Sequence, residues 1–311
     1  PPRLGKDGKT VRGDGACKPL ASGLARNNGQ DLMRGEHTVG NSRRDADRRS
    51  NVVGAPPTPD WATGTGTENM ASGTSIFDPV LCELVYRWFC PPNGAVLDPF
   101  AGGSARGIVA AKLGRAYTGV DLSARQIAAN REQAAAIVPE HPPAWHGGDS
   151  LAITTLAPGS YDLVFSCPPY ADLEVYSDDQ RDLSTMPYEQ FLASYRRIIA
   201  AALGMLAVDR FACFVVGDVR DKRGLYRNFV SDTIAAFQAA GAALYNEAVL
   251  VTAVGSLPIR VGKQFSSGRK LGKTHQNVLV FVKGDPRKAT ETCGEVDVSW
   301  PDEEVGVALA S

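Results

Sequence analysis

Between Ser75 and Val282 the chain alternates short strand-like runs with helix-like stretches, and this alternation limits the folds open to it more than any other feature. Asp78 to Cys90 carries Val80, Leu81, Leu84, Val85 and Trp88 at helical spacing and stops at Pro91-Pro92. Ala95-Val96-Leu97 then reads as a strand, Ser104 to Leu113 as a helix closed by Gly114, Tyr117 to Val120 as a second strand and Ser123 to Ile137 as a helix. Ala144 to His146 is a third strand, and Tyr161 to Phe165 a fourth whose unbroken Leu163-Val164-Phe165 suits a strand buried on both faces. A helix over Tyr188 to Leu206, a strand over Arg210 to Val216, and a helix over Leu225 to Ala240 capped by Gly241 follow. Strands at Ala248 to Val254 and Gln276 to Val282 complete a predicted α/β domain, its mostly parallel sheet covered by helices on both faces.

The flanks differ. Residues 1–73 are rich in Gly, Asn, Asp and Arg and lack apolar periodicity, so they cannot offset their ordering entropy and are expected to be linker-like or disordered. The catalytic domain is placed at 74–285, and 286–311, with Glu295, Asp297, Asp302, Glu303 and Glu304, is expected to be a disordered acidic tail. A chain that begins Pro1-Pro2-Arg3 rather than with Met is expected to be a piece of a longer product. A net charge of -1 excludes a uniform basic coat, so a polyanion would have to be held by local clusters. The six cysteines form no C-x-x-C pair, which argues against a zinc site or a disulfide framework and fits a reducing cytoplasm. No apolar run is long enough to cross a bilayer.

Three strands end in an acid. Asp98 precedes Pro99-Phe100-Ala101-Gly102-Gly103-Ser104, a turn with little side-chain bulk that opens a helix and lets a ligand approach the backbone. The glycine order is not G-x-G-x-x-G, and a carboxylate ahead of it repels phosphate but suits an ammonium group. Asp121 is placed to accept from ribose hydroxyls, and Asp149, with Ser150 beside it, from an adenine amino group. Amino acid, ribose and adenine together describe S-adenosylmethionine as the cofactor.

At the end of the fourth strand, Pro168-Pro169-Tyr170 makes a rigid extended turn that presents carbonyl oxygens beside one aromatic ring. Leu97-Asp98-Pro99-Phe100-Ala101-Gly102-Gly103-Ser104 followed by Phe165-Ser166-Cys167-Pro168-Pro169-Tyr170 resembles the DNA amino methyltransferases of phage and restriction-modification type, which make N4-methylcytosine or N6-methyladenine. The resemblance spans residues 75 to about 283. It implies a Rossmann-like methyltransferase fold with a seven-stranded sheet and an antiparallel last strand. It also implies a cofactor site that adds Ser75-Ile76-Phe77, and a flipped base stacked on Tyr170, whose amino group bonds the Pro168 carbonyl and the side chain of residue 167 and attacks the cofactor methyl directly.

One residue departs from the family pattern, which has Asp, Asn or Ser where this chain has Cys167. Strand alternation points Ser166 the opposite way, so it cannot stand in. Either the pocket tolerates a cysteine as hydrogen-bond partner, or Cys167 is a nucleophile of the C5-cytosine type, or the chain is a silent nucleic-acid-binding module or an RNA methyltransferase. Ser256 to His275 carries Arg260, Lys263, Arg269, Lys270 and Lys273 without an acid and is expected to be a phosphate-gripping loop. The acidic run Asp172, Glu174, Asp178, Asp179, Asp182 is either a lid, with Tyr176 as a second aromatic wall, or a solvated surface. DNA is the expected partner, no metal or membrane is, and a separate recognition module or a second copy is left open as the source of target choice.

Overall fold

The computed structural model describes residues 76–170, 175–252 and 257–296, the side chains of 257–260 excepted. Expectations that fall on residues 1–75, on Asp172 and Glu174, or on 297–311 therefore lie outside the described residues. Seven strands form one sheet: β1 (Ala95–Asp98), β2 (Ala116–Asp121), β3 (Ala144–Gly147), β4 (Tyr161–Ser166), β5 (Leu206–Val216), β6 (Ala243–Val251) and β7 (His275–Lys283). Their order is β3-β2-β1-β4-β5-β7-β6. The first five run parallel, while β7 lies antiparallel to both its neighbours. This is the expected Rossmann-like methyltransferase architecture. The order reverses between β1 and β4, which opens a crevice at the carboxyl ends of those two strands.

The described α-helices are α1 (Pro79–Phe89), α2 (Ala105–Lys112), α3 (Ala124–Ile137), α4 (Ile153–Leu156), α5 (Tyr188–Met205), α6 (Phe229–Ala239), α7 (Leu257–Gly268) and α8 (Pro286–Cys293), with short 3-10 turns at Ser150–Ala152 and Leu183–Thr185. Alternate strand residues feed two apolar layers. Leu97, Val164, Phe214, Val216 and Phe281 pack with α4, α5 and α6, and Val96, Leu163, Phe165, Val215 and Val280 pack with α1, α2, α3 and α8. Two-sided burial is why the central strands read as continuous apolar runs.

The structure corrects several boundaries. The expected helix at Leu225 to Ala240 starts only at Phe229, after Asn228 in the left-handed region at φ 57°. Asp221 accepts from the Leu225 N–H, and Arg220 bridges Tyr226, so 219–227 turn back as a hairpin instead. The edge strand β6 begins at Ala243 rather than Ala248, because pairing with β7 extends it beyond its apolar run. The stretch read as a loop from Ser256 holds α7, which carries Gly262 within it. The domain does not end at 285: Asp285 caps α8 by accepting from the N–H groups of Arg287 and Lys288. Ala289 and Cys293 of α8 are buried against the second apolar layer. Only these two residues, one helical turn apart, carry its packing, too faint a pattern beside the acids that follow.

Gly119 on β2 lets the turn after β1 lie flat on the sheet. A Cβ there would stand 2.8 Å from the Ala101 methyl and 2.8 Å from the Tyr117 ring. We therefore expect Gly119→Ala to destabilise the fold by about 1–3 kcal/mol through overpacking, checked by urea denaturation. An unchanged midpoint would mean the turn can lift without cost.

Candidate functional site

The turn after β1 is organised by a buried ion pair. Asp98 is fully buried, and its Oδ2 accepts from the Arg106 Nε at 2.6 Å and from the Tyr117 hydroxyl at 2.7 Å. Its Oδ1 accepts from the Ser166 hydroxyl at 2.5 Å and the Phe100 N–H at 3.1 Å. Four donors use the carboxylate's capacity. Asp98 is thus a bracket for the turn, and the expectation that it meets a ligand's ammonium is corrected: its charge is already matched by Arg106.

Arg106 in turn donates to the carbonyls of Phe100 at 2.7 Å and Ala101 at 2.9 Å. Its guanidinium also lies 4.6 Å from the centroid of the Phe77 ring. Phe77, expected beside the cofactor, meets Phe165 edge-on at 5.8 Å, so it supports Arg106 from below. Ser75 lies outside the described residues.

Gly102 is held from both sides. Its N–H donates to Asp121 Oδ2 at 2.8 Å, and its carbonyl accepts from the amide of the buried Asn130 on α3 at 2.7 Å. Its φ of +50° is a conformation that favours glycine. Ser104 bonds Gln133 on the same helix. Asp121 also accepts from the Ser123 N–H at 2.7 Å, and burial pushes its carboxyl above the ordinary range despite those two backbone donors. Asp98 and Asp182 add to that push. Asp149 accepts from the Leu151 N–H at 2.9 Å. The Ser150 hydroxyl donates to the Pro99 carbonyl at 2.6 Å, which ties β3's end to the turn. Phe100 packs inward against Tyr195 at 5.9 Å.

The Cys167-Pro168-Pro169-Tyr170 turn stands at the end of β4, the parallel neighbour of β1. Ser166, committed to Asp98, points away from it. The Cys167 sulfur is 3.8 Å from the Tyr170 hydroxyl, and burial raises its thiol pKa although Arg106 nearby opposes the shift. Tyr170 accepts from the Gln276 amide at 2.5 Å, and its ring meets Phe229 edge-on at 6.0 Å. Beside it lies a cavity of about 200 Å³ lined by Tyr170, Gly217, Asp218, Val219, Lys273, His275 and Gln276. That is smaller than the ~300–1,000 Å³ of pockets for drug-sized ligands, and of the scale of one planar ring.

The basic residues do not act together as one loop. Lys273 lines the cavity. Lys270 lies over Gly224, where a Cβ would come within 2.5 Å of its Nζ. Arg269 stacks on Phe265 at 5.1 Å, Lys263 is exposed on α7, and the Arg260 side chain is outside the described residues. Among the described residues there is no group of three or more His, Cys, Asp or Glu that could hold a metal ion, and no helix long and apolar enough to cross a membrane.

Sequence reasoning missed Arg106 and Asn130. Each is a polar residue at a buried helix position, and the only sign of Arg106 is a cation amid Ala105, Gly107, Ile108 and Val109. It also missed the cavity's far wall, because Gly217-Asp218-Val219 lies more than forty residues from Tyr170.

No protein-family model matches the chain, and no curated protein matches it. Among solved structures, TrmN from Thermus thermophilus is similar at a TM-score of 0.46 and 18% identity, over 68% of this chain and 51% of that one, about half its length. Magnesium protoporphyrin IX methyltransferase (ChlM) from Synechocystis PCC 6803 with bound SAM is similar at 0.43 and 14%, over 78% of this chain and 92% of that one. A methyltransferase from Pyrococcus furiosus is similar at 0.44 and 15%, over 67% and 84%. At these scores and identities the likenesses assign neither a reaction nor a ligand to this chain.

Proposed function

We propose that this chain is an S-adenosylmethionine-dependent methyltransferase that modifies the exocyclic amino group of a DNA base, N4 of cytosine or N6 of adenine. The observation that carries the reading is a juxtaposition: the glycine turn and the Pro-Pro-Tyr turn leave the carboxyl ends of β1 and β4, neighbouring parallel strands at the switch point that Ser166 ties to Asp98, and a ring-sized cavity lies beside Tyr170.

The residues present fit the cofactor. Nothing lies within 4 Å of where a Cβ on Gly102 or Gly103 would stand, so the turn leaves open space beside its backbone. Asp121 keeps acceptor capacity for ribose hydroxyls, and Asp149, with one backbone bond, keeps capacity for an adenine amino group. When bound, the cofactor supplies an electrophilic methyl group.

This chain's own residues then do three things. Tyr170 offers a ring for the flipped base, fixed by Gln276 and Phe229. The Pro168 carbonyl accepts a hydrogen bond from the amino group and orients its lone pair. The crevice brings that nitrogen to the methyl group without a covalent enzyme intermediate. Desolvation raises the pKa of the half-buried Cys167 thiol, which favours this route over the C5-cytosine route, whose nucleophile is a thiolate.

Cys167→Ser supplies the test. In the amino-methylation reading residue 167 only bonds the base, so the serine variant should keep or raise turnover and yield N4-methylcytosine or N6-methyladenine. A folded, cofactor-binding serine variant with no turnover, together with a covalent complex of the parent on 5-fluorocytosine DNA, would assign the C5 mechanism instead.

A further inference from the structure

Resting on that reading, we propose that the hairpin 219–227, which follows β5, is a second nucleic-acid contact, its Arg220–Tyr226 plate stacking an unpaired base next to the target while Lys222 and Arg223 meet the flanking phosphates.

The hairpin is a built element. The Arg227 N–H donates to the Val219 carbonyl at 3.0 Å, and the Asp221 N–H to the Leu225 carbonyl at 2.8 Å. Asp221 caps the turn through the Leu225 N–H at 2.8 Å, which commits the acid nearest the tip. Arg220 donates to the Gly224 carbonyl at 2.8 Å, and that bond lays its guanidinium 3.8 Å from the centroid of the Tyr226 ring. The pair is a flat cationic plate, and its aromatic half is 44% exposed, next to Leu225 at 55%. A guanidinium on an aromatic ring is the surface on which unpaired bases stack irrespective of sequence.

Position adds to chemistry. The hairpin's foot, Gly217-Asp218-Val219, is itself a wall of the Tyr170 cavity. Its tip lies beside the other basic segment, since a Cβ on Gly224, whose φ is +87°, would come within 2.5 Å of the Lys270 Nζ. Lys273 lines the cavity, Lys270 lies beside Gly224, and the exposed Lys222 and Arg223 immediately precede that glycine, in a chain whose net charge is only -1. Asp218 is engaged by the Val230 N–H, so neither hairpin acid is without a hydrogen-bond donor. A strand that delivers one base into the cavity must run its backbone across this basic side, and the gap it leaves presents unstacked bases to the plate.

Fluorescence anisotropy with two labelled probes tests this: a fully paired duplex, and the same duplex with one mispaired base. The full chain should prefer the mispaired probe. Tyr226→Ala should weaken mispaired-probe binding about tenfold and erase the preference, Tyr226→Phe should restore both, and Lys222→Ala with Arg223→Ala should lower the slope of log affinity against log salt by about one for each charge removed. Cofactor affinity, measured in parallel, should stay at the parental value in all of them. A parent that binds DNA while every hairpin variant binds it equally well would overturn this contact alone. A parent that binds neither probe would overturn the proposed function and this contact together.

Discussion

Arg106→Ala is expected to cost about 3–5 kcal/mol of folding stability, the range for removing one partner of a buried ion pair. The side chains of Arg106 and Asp98 are only 5% and 0% exposed, so the variant would leave the carboxylate buried without its counter-charge. The loss extends further than the pair. The carbonyls of Phe100 and Ala101 would lose their donor, and the cofactor turn with them its fixed path. Arg106→Lys should recover part of the stability, since an ammonium can face Asp98 but cannot present the planar fork that spans both carbonyls. Chemical denaturation of the three proteins measures the effect. An alanine variant within about 1 kcal/mol of the parent, the scale of a surface pair, would show that Asp98 finds another counter-charge.

Tyr170→Ala should be the most damaging change to turnover that leaves the fold intact. Stacking a base on an aromatic ring is worth about 1–3 kcal/mol, so its loss predicts a fall in kcat/KM of roughly five- to 150-fold. The fall should reach the upper part of that range, because the Gln276 amide also loses its partner at the cavity wall. Tyr170→Phe separates the two contributions: it keeps the ring, drops the bond to Gln276, and should retain most of the activity. Alanine and phenylalanine variants that fall equally would make the hydroxyl, rather than the ring, the working part of this residue.

Motifs with a local physical cause were legible in the sequence. The β-α alternation announced the sheet, since period-two and period-3.6 patterns follow from backbone geometry alone. The acids at the ends of β1, β2 and β3 were legible as a set, and so was the rigid Pro-Pro-Tyr turn. What each acid does was less legible. Asp98 and Asp121 look alike as strand-end carboxylates, but one is sealed by Arg106, Tyr117 and Ser166 while the other accepts only from two backbone N–H groups. That difference arises from residues eight to sixty-eight positions away, which no local pattern reports. The hairpin was hidden for a related reason. Leu225 and Tyr226 continue the apolar spacing of α6, and only the capping by Asp221 and the bridge to Arg220 turn them away from the helix. In α7, Gly262 and the basic residues suggested a loop where the chain forms a helix.

Methyl transfer to the amino group of a DNA base is tested most directly by the identity of the product. The chain, incubated with S-adenosylmethionine carrying a labelled methyl group and with duplex DNA, should leave label that digestion to nucleosides and mass spectrometry recovers as N4-methyldeoxycytidine or N6-methyldeoxyadenosine. Label recovered as 5-methyldeoxycytidine, or DNA left unlabelled by a folded chain that binds the cofactor, would contradict it.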